Sequence, residues 1–427
     1  MHLYELPVIC ILVALAMYTV LGGADFGAGL WQLLAGGGRG AGRIREYAHH
    51  AMGPVWEANH VWLIFVLVVT WTAYPEAFGS IASTLSVPLF IAALGVIFRG
   101  AAYALRAGST RPRELALIDT VFSISSVLAP FALGAVVGAI ASLRVPPGNA
   151  AGDLFSSWLT PTSCTIGALA VAAGAYMAAV YLAGDATRAG ERELAEQFRT
   201  RALIAGAVAG GLALAGLIVL HSDSHRLYHR LTDGPGLAGL VLSILAGLTT
   251  LALVARRRFD AARVTAALAV AGVILGWALA QQPLLLQHLT LRAAAAPRQT
   301  LITLLVAIAM GALILFPSLG LLFTLVLGGR FDPGHGHTAT WRSAQAAAPA
   351  PPAVARAQGA LAPTRAALVV RVALAAALGG IGLLTVAEAP WAHAAGVVCL
   401  FAAVIAGVVA VDPARLARAE DRSTLRD

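Results

Sequence analysis

Lysine does not occur in this sequence: all 29 basic residues are arginine. We read that as a base-composition effect rather than a mechanism. Charge of any sign is scarce, at 12% of 427 residues, against 59% hydrophobic residues and a mean hydropathy of +0.80. No soluble domain of this size buries enough surface to hide so much apolar sequence, so the bilayer is the solvent. Cysteine is also rare. Cys10, Cys164 and Cys399 stand singly inside apolar stretches, without partners at metal-ligand spacing, and read as small buried hydrophobes. There is no Walker loop, no paired CxxC, no nucleophile elbow and no repeat of fixed period, which leaves soluble-enzyme chemistry without a foothold. The net charge of +8 does not point to nucleic acid, because the arginines sit in loops between apolar runs rather than with aromatics on one polar domain. The first apolar run follows no basic segment and is too long for a signal peptide, so it is expected to stay as a helix.

What the sequence has is long apolar runs, bounded by Arg, Pro, Gly and Asp. They are far longer than the roughly ten-residue alternating segments of a membrane barrel, so the fold class is all-α, a polytopic transmembrane bundle. The runs predict eleven spans, near 6–34, 55–74, 83–105, 119–142, 161–183, 202–221, 236–255, 261–280, 299–328, 367–387 and 391–411. The last two form a hairpin about Glu388-Ala389-Pro390. Residues 331–366, rich in Ala and Pro, read as a flexible linker, and 412–427 as a tail. Counting arginines link by link assigns 24 of the 29 to the links after odd-numbered spans together with the C-terminal tail. The positive-inside rule then predicts an N-terminus outside and a C-terminus in the cytoplasm. That requires an odd number of spans, eleven, or nine with the final hairpin lying differently.

An ionisable group near the bilayer centre costs about 2.5–3.5 kcal/mol on insertion scales, so each one invites a functional hypothesis. Asp25 lies in span 1 within Gly22-Gly23-Ala24-Asp25-Phe26-Gly27-Ala28-Gly29. At 100° per residue, Tyr18, Gly22, Asp25 and Gly29 share a face of mostly small residues that admits a close neighbouring helix. The carboxylate is either a protonatable relay in the bundle interior or a packing feature neutralised by an arginine or a backbone group. Span 2 opens Pro54-Val55-Trp56-Glu57-Ala58-Asn59-His60-Val61-Trp62. Glu57 and His60 share one face, Trp56 and Asn59 another, and Pro54 suits a first helical turn. The orientation puts Glu57 near the cytoplasmic surface and Asp25 deeper, so two carboxylates could hand a proton inward; alternatively Glu57 is an interfacial charge favoured by the helix N-terminus. Trp71 reads as an interfacial anchor. Arg99, in Phe98-Arg99-Gly100, either pairs a carboxylate such as Glu57 or snorkels. Asp119 is expected to be an ordinary helix-end charge. His221, Asp223, His225 and His229 read as a solvated loop, their spacing matching no strong metal-ligand motif. His335 and His337 receive no role.

The two opening motifs, about thirty residues apart, resemble those of subunit II of cytochrome bd-type quinol oxidases. Phe98-Arg99-Gly100 resembles the family's third motif, and Ala129-Pro130-Phe131 with Gly134 and Gly138 a fourth. The resemblance implies a nine-helix core over 1–330, which the hairpin at 367–411 extends. It also implies a terminal respiratory oxidase of the bacterial inner membrane. The chain would be a non-haem subunit beside a homologous subunit I that carries haem b, haem d and the quinol site. Its work would be to scaffold that partner and help conduct cytoplasmic protons to the oxygen-reducing haem. No catalytic residue, firmly bound cofactor, metal or nucleic acid is implied here; quinol and O2 are substrates of the complex. The resemblance leaves room for a small single-span accessory subunit and for a structural quinone or lipid at the interface. By motif, Asp25, Glu57 and His60 fall on the proton pathway, supported by Trp56, Asn59 and Arg99. Family members commonly carry an acidic residue where this chain has Ala104, and they lack its C-terminal addition of about ninety-five residues. The competing class is a proton-coupled secondary transporter, which would share the intramembrane carboxylates but should show two matching halves.

Overall fold

The computed structural model describes residues 2–36, 41–50, 56–109 and 111–327, together with Cys399; side chains at 41, 49–50, 56–58, 107–108, 112, 316 and 319–327 are excepted. The chain divides into two compact units, Met1–Phe331 and Asp332–Asp427. Apart from Cys399, the linker, hairpin and tail assigned to 331–427, with His335 and His337, lie outside the described residues.

Fourteen helices and one small hairpin make up the described chain. A 3₁₀ turn at Leu3–Glu5 leads into α1 (Leu6–Met17), a π-helical turn (Tyr18–Gly22) and α2 (Gly23–Leu33), which together form the first apolar crossing. Then come α3 (Ala41–His50), α4 (Trp56–Ala73), α5 (Pro75–Thr84), α6 (Ser86–Gly108) and α7 (Pro112–Ala141). They are followed by α8 (Pro161–Arg188), α9 (Arg192–Asp223), α10 (His225–Thr232), α11 (Leu237–Ala255) and α12 (Phe259–Gln281). Strands β1 (Leu284–Leu286) and β2 (Leu289–Thr290), α13 (Leu291–Ala294) and α14 (Arg298–Leu327) complete it. Eight stretches of helix are long and apolar enough to cross a membrane, and Asn59–Ala73 of α4 is a shorter apolar helix at the place of predicted span 2. The protein is a multi-pass helical membrane protein.

Local chemistry sets the helix ends. Pro75, Pro112 and Pro161 begin α5, α7 and α8, where a missing N–H costs nothing. The Thr160 hydroxyl caps α8 by accepting from Ser163 N at 3.1 Å. Gly190, at φ +76°, ends α8 in the left-handed conformation that closes a Schellman turn, with Glu191 N donating to Ala186 O. Several helices outrun their predicted spans. With 28 and 32 residues, α8 and α9 are about 42 and 48 Å long, against an apolar slab of about 30 Å. The hydropathy signal stops at Arg and Glu, but these residues are good helix formers and the backbone continues through them. Likewise α7 starts at Pro112, so Asp119 is inside a helix rather than at its end.

The links sort to two ends. Arg43 of α3 pairs with Glu191 and Glu193 at the α8–α9 turn; Arg188 reaches Asp260 and Arg257 reaches Glu196, tying that turn to the α11–α12 turn. At the other end Arg144 pairs with Asp223, Arg226 donates to the Gln281 carbonyl, Gln287 N to Val145 O, and Ala296 N to Ala73 O. Links after odd spans meet one another, as do links after even spans. The segment carrying His221, His225 and His229 belongs to this second end and is helical in α9 and α10, where a solvated loop was predicted. Histidine there packs among aromatic rings, His221 lying 5.3 Å from His225 and, edge to face, 4.8 Å from Tyr228. Trp71, 63% exposed and stacked on Phe78, has the surroundings of an interfacial anchor.

Candidate functional site: a buried carboxylate between transmembrane helices

The π-helical turn at Tyr18–Gly22 interrupts the first crossing at the start of its glycine-rich run. A π-turn holds one more residue than an α-turn and so rotates the helix beyond it, a device frequent at functional sites. A uniform helical wheel therefore misjudges α2. Besides Asp25 and Gly29, the buried residues there include Phe26, Gly27, Ala28, Trp31 and Gln32. Glycine supplies the clearance. A Cβ on Gly27 would lie 1.9 Å from the Gly174 carbonyl oxygen of α8, and one on Gly29 would lie 2.2 Å from Ser126 Oγ of α7. The string around Asp25 is thus written for close approach by two helices at once. Trp31 locks the same contact, its indole N–H donating to the Ala175 carbonyl at 2.8 Å.

Four membrane helices bring polar groups to this point. Asp25, Asn59, Arg99 and Ser126 are 9%, 2%, 2% and 1% exposed. The Asn59 side-chain amide, from α4, donates to the Asp25 carboxylate in a very short contact. Arg99, from α6, donates to the Asp25 backbone carbonyl at 2.8 Å and to Ser126 Oγ at 2.6 Å, and its charge acts on the Asp25 carboxylate. Ser126 donates its own proton to the Phe122 carbonyl at 2.6 Å. The guanidinium lies 4.7 Å from the ring centres of both Phe26 and Phe122, held between two π faces in a dry setting where cation–π attraction is strongest. His60 closes one side, with its ring 6.1 Å from Tyr18 and 6.2 Å from Phe26. The Tyr18 hydroxyl is buried beside them and has no hydrogen-bond partner among the described residues.

The structure thus brings Asp25, Asn59 and Arg99 into direct contact and places His60 against the same cluster. Arg99 does not snorkel. It is sealed inside the bundle and cannot count among the loop charges that set orientation. The side chains of Trp56 and Glu57 lie outside the described residues, and so does the expected pairing of Glu57 with Arg99. Three participants escaped the sequence reading: Ser126, Phe122 and the ring of Phe26. The only trace of the first two was a run of small hydroxyls, Ser123, Ser125 and Ser126, following Phe122 on an otherwise apolar helix.

Arg99 lies over the rings of Phe26 and Phe122 beside Asp25, and the His60 ring meets those of Tyr18 and Phe26. What the arrangement can do is hold one carboxylate in a low-dielectric interior, with a fixed counter-charge and an amide donor. Buried networks of this kind are specified residue by residue, because an orphaned member is costly.

A carboxylate, a guanidinium and an amide drawn together from separate apolar crossings define a polytopic membrane protein with a polar centre sealed in its bundle. Residues 3–326 match the family model of cytochrome bd terminal oxidase subunit II, and the chain belongs to that family. Among solved structures, it is similar to a chain of the bd oxidase from Geobacillus thermodenitrificans. The TM-score is 0.63 and the identity 26%, over 77% of this chain and 99% of that one. Two Bacillus subtilis proteins are also similar. The cytochrome bd ubiquinol oxidase subunit 2 is 28% identical over 132 residues, 31% of this chain and 38% of the relative. The putative cytochrome bd menaquinol oxidase subunit II is 20% identical over 236 residues, 54% of this chain and 67% of the relative. The match to the first of these therefore spans well under half of that relative's length.

Proposed function

We propose that this chain is the non-haem subunit of a quinol:O2 oxidoreductase in a bacterial cytoplasmic membrane, paired with a homologous subunit that carries haem b and haem d. Its N-terminus lies outside and its C-terminal tail in the cytoplasm. Its tasks are to scaffold the partner and to supply protons from the cytoplasmic side. Oxygen reduction to water consumes protons, and a low-dielectric interior admits them only along protonatable groups and water. The observation that carries this reading is Asp25, a buried carboxylate in a family-matched region, fixed by Asn59 and by the helix that bears Arg99.

In this reading Asp25 takes up and releases a proton on the way to the partner subunit. Asn59 holds its carboxylate in place, and Arg99, anchored on the Asp25 carbonyl, makes its ionised form tolerable. The Tyr18 hydroxyl offers both a donor and an acceptor to a water beside it. His60, an imidazole able to change charge near neutral pH, stands at the same place. Glu57 collects protons nearer the membrane surface. The carrier reading drew on the same carboxylates, and membership of an oxidase-subunit family favours proton delivery over substrate transport.

Purification of the tagged complex from native membranes tests the assignment. A reduced-minus-oxidised visible spectrum should show haem b and haem d bands carried by a second polytopic chain. Asp25→Asn should then keep those bands while slowing O2-linked proton uptake in liposomes by about a hundredfold, the low end of what a positioned acid–base group contributes. A haem-free chain purified alone, or an Asp25→Asn complex with normal uptake, would sink it.

A further inference from the structure

Asp119 has surroundings that a helix-end charge does not explain. It sits two turns inside α7, and its carboxylate is ion-paired with Arg106 of α6, both side chains only about a quarter exposed. Helices α6 and α7 pack against each other in antiparallel fashion, and this pair is one rung of a ladder. The other is Arg99 with Ser126, deep in the bundle at the Asp25 carbonyl. Between the rungs lie Tyr103 on α6, half-buried, and Ser123 on α7, buried. Positions 99, 103 and 106 form one stripe of α6, and 119, 123 and 126 one stripe of α7, by the spacing that aligns side chains along a helix. At the outer rung Glu46 of α3 acts electrostatically on Arg106, so acid, base and acid meet at the rim. Ala104 puts no acid on this part of α6.

We infer that Asp119 is a proton-collecting group of this subunit in addition to Glu57, and that the seam between α6 and α7 is a path from the rim to Asp25. The inference rests on the proton-delivery reading above. The seven residues from Asp119 to Ser126 rise about 10 Å, too far for a single hydrogen-bonded hop. Asp119 accepts a proton from bulk water, forming its carboxylic O–H. That bond breaks as the proton passes, by way of water and the hydroxyls of Tyr103 and Ser123, to the Asp25 carboxylate. Each hydroxyl accepts one proton and releases its own, and Asp119 returns to its anion. Arg106 orients the carboxylate without carrying the proton.

The test uses the intact complex in liposomes, with O2-linked proton uptake followed against pH for wild type, D25N, D119N, D119E and R106Q. Among the described residues, Arg106 pairs with Asp119 and Glu46 of α3 acts on it through Arg106; Tyr103 lies on the α6 stripe between the rungs, and Arg111 and Glu114 pair with each other near the start of α7. D119N should slow uptake about tenfold or more, most severely at alkaline pH, where bulk protons are scarce. D119E should retain most of the rate with a displaced pH profile, and R106Q should slow uptake less than D119N. Normal uptake in D119N with slow uptake in D25N overturns the seam alone. Normal uptake in both overturns the proton-delivery reading itself. Equal losses in D119N and R106Q with an unchanged pH profile would make Asp119 a mere anchor for Arg106 and overturn the inference. Should D119N fail to assemble, D119E decides: a displaced profile supports the seam, and a wild-type profile overturns it.

Discussion

Among the described residues, two places join an aspartate to an arginine across helices with a histidine near by, and they differ in how the arginine is held. At Asp25 every partner is buried, the guanidinium is held between two phenylalanine rings, and helices far apart in sequence supply the groups. At Asp223 the arginine is nearly half exposed; Asp223 accepts from Arg144 at 2.9 Å and from Thr162 at 2.5 Å, and His221 meets Tyr228 edge to face. The first is a network that the bundle must keep whole. The second fastens two helix ends where water reaches the arginine, while the Asp223 carboxylate is only 12% exposed and Thr162 is buried. Burial of the arginine, not the list of residue types, separates the two places: Arg99 is 2% exposed and the Arg144 side chain 46%.

The sharpest way to break the contrast is to remove one charge at each place. Arg99→Leu leaves the Asp25 carboxylate buried without its counter-charge and should cost about 3–5 kcal/mol, read as loss of assembled complex or a large fall in Tm in detergent. Asn59→Ala, which deletes a hydrogen bond to a charged group, should cost about 1.5–3 kcal/mol and slow proton uptake as well. Gly27→Ala drives a methyl into the Gly174 carbonyl and should lower stability by about 1–3 kcal/mol or more. Gly210→Ala, which meets nothing within 4 Å on α9, should raise it by about 0.5–1 kcal/mol. A comparison of Tm values for the two glycine variants decides whether close approach, rather than glycine content, matters in α2. Arg144→Ala at the other end should cost at most about 1 kcal/mol.

The smallest effect belongs to Asp233, just beyond α10. Hydrogen bonds from His229 and from the Thr232 hydroxyl hold its carboxyl below the usual carboxylate range. A group depressed in the folded state stabilises fully above its ordinary value and loses that contribution as pH falls through the depressed one. His229→Ala should raise Asp233 toward the ordinary range, with the Thr232 hydrogen bond still holding it below, visible in an infrared carboxyl titration. Because the group is fully exposed, Tm should scarcely move.

Parts of the fold were legible because their cause is local. Nine of the predicted spans coincide with apolar helices in the described residues, since each crossing needs its own apolar stretch whatever its neighbours do. Their ends were not legible, because α8 and α9 run on through Arg and Glu once out of the bilayer. The β1–β2 hairpin was missed for a related reason. Leu286 and Leu289 are buried against the core shared with Tyr74 and Val145, and in sequence they read only as more apolar residues. Asp25, Asn59 and Arg99 stood out through their motifs. Ser126, Phe122 and Asp119 did not, because a serine, a phenylalanine or an aspartate on a helix carries no mark of the neighbour it will meet.

The sequence by itself determined the solvent, the helical class and the cost of each buried charge, since those depend on composition and on the hydrogen-bonding needs of a backbone in lipid. It also determined that the links alternate in arginine content. Only the tertiary structure decided which charges meet. The π-turn at Tyr18–Gly22 sets the rotation of α2, the glycines set how near α7 and α8 come, and the antiparallel seam of α6 and α7 aligns Arg99 with Ser126 and Arg106 with Asp119. These are distances between segments far apart in the chain or turned about a bend, and hydrophobic periodicity along a single helix does not encode them.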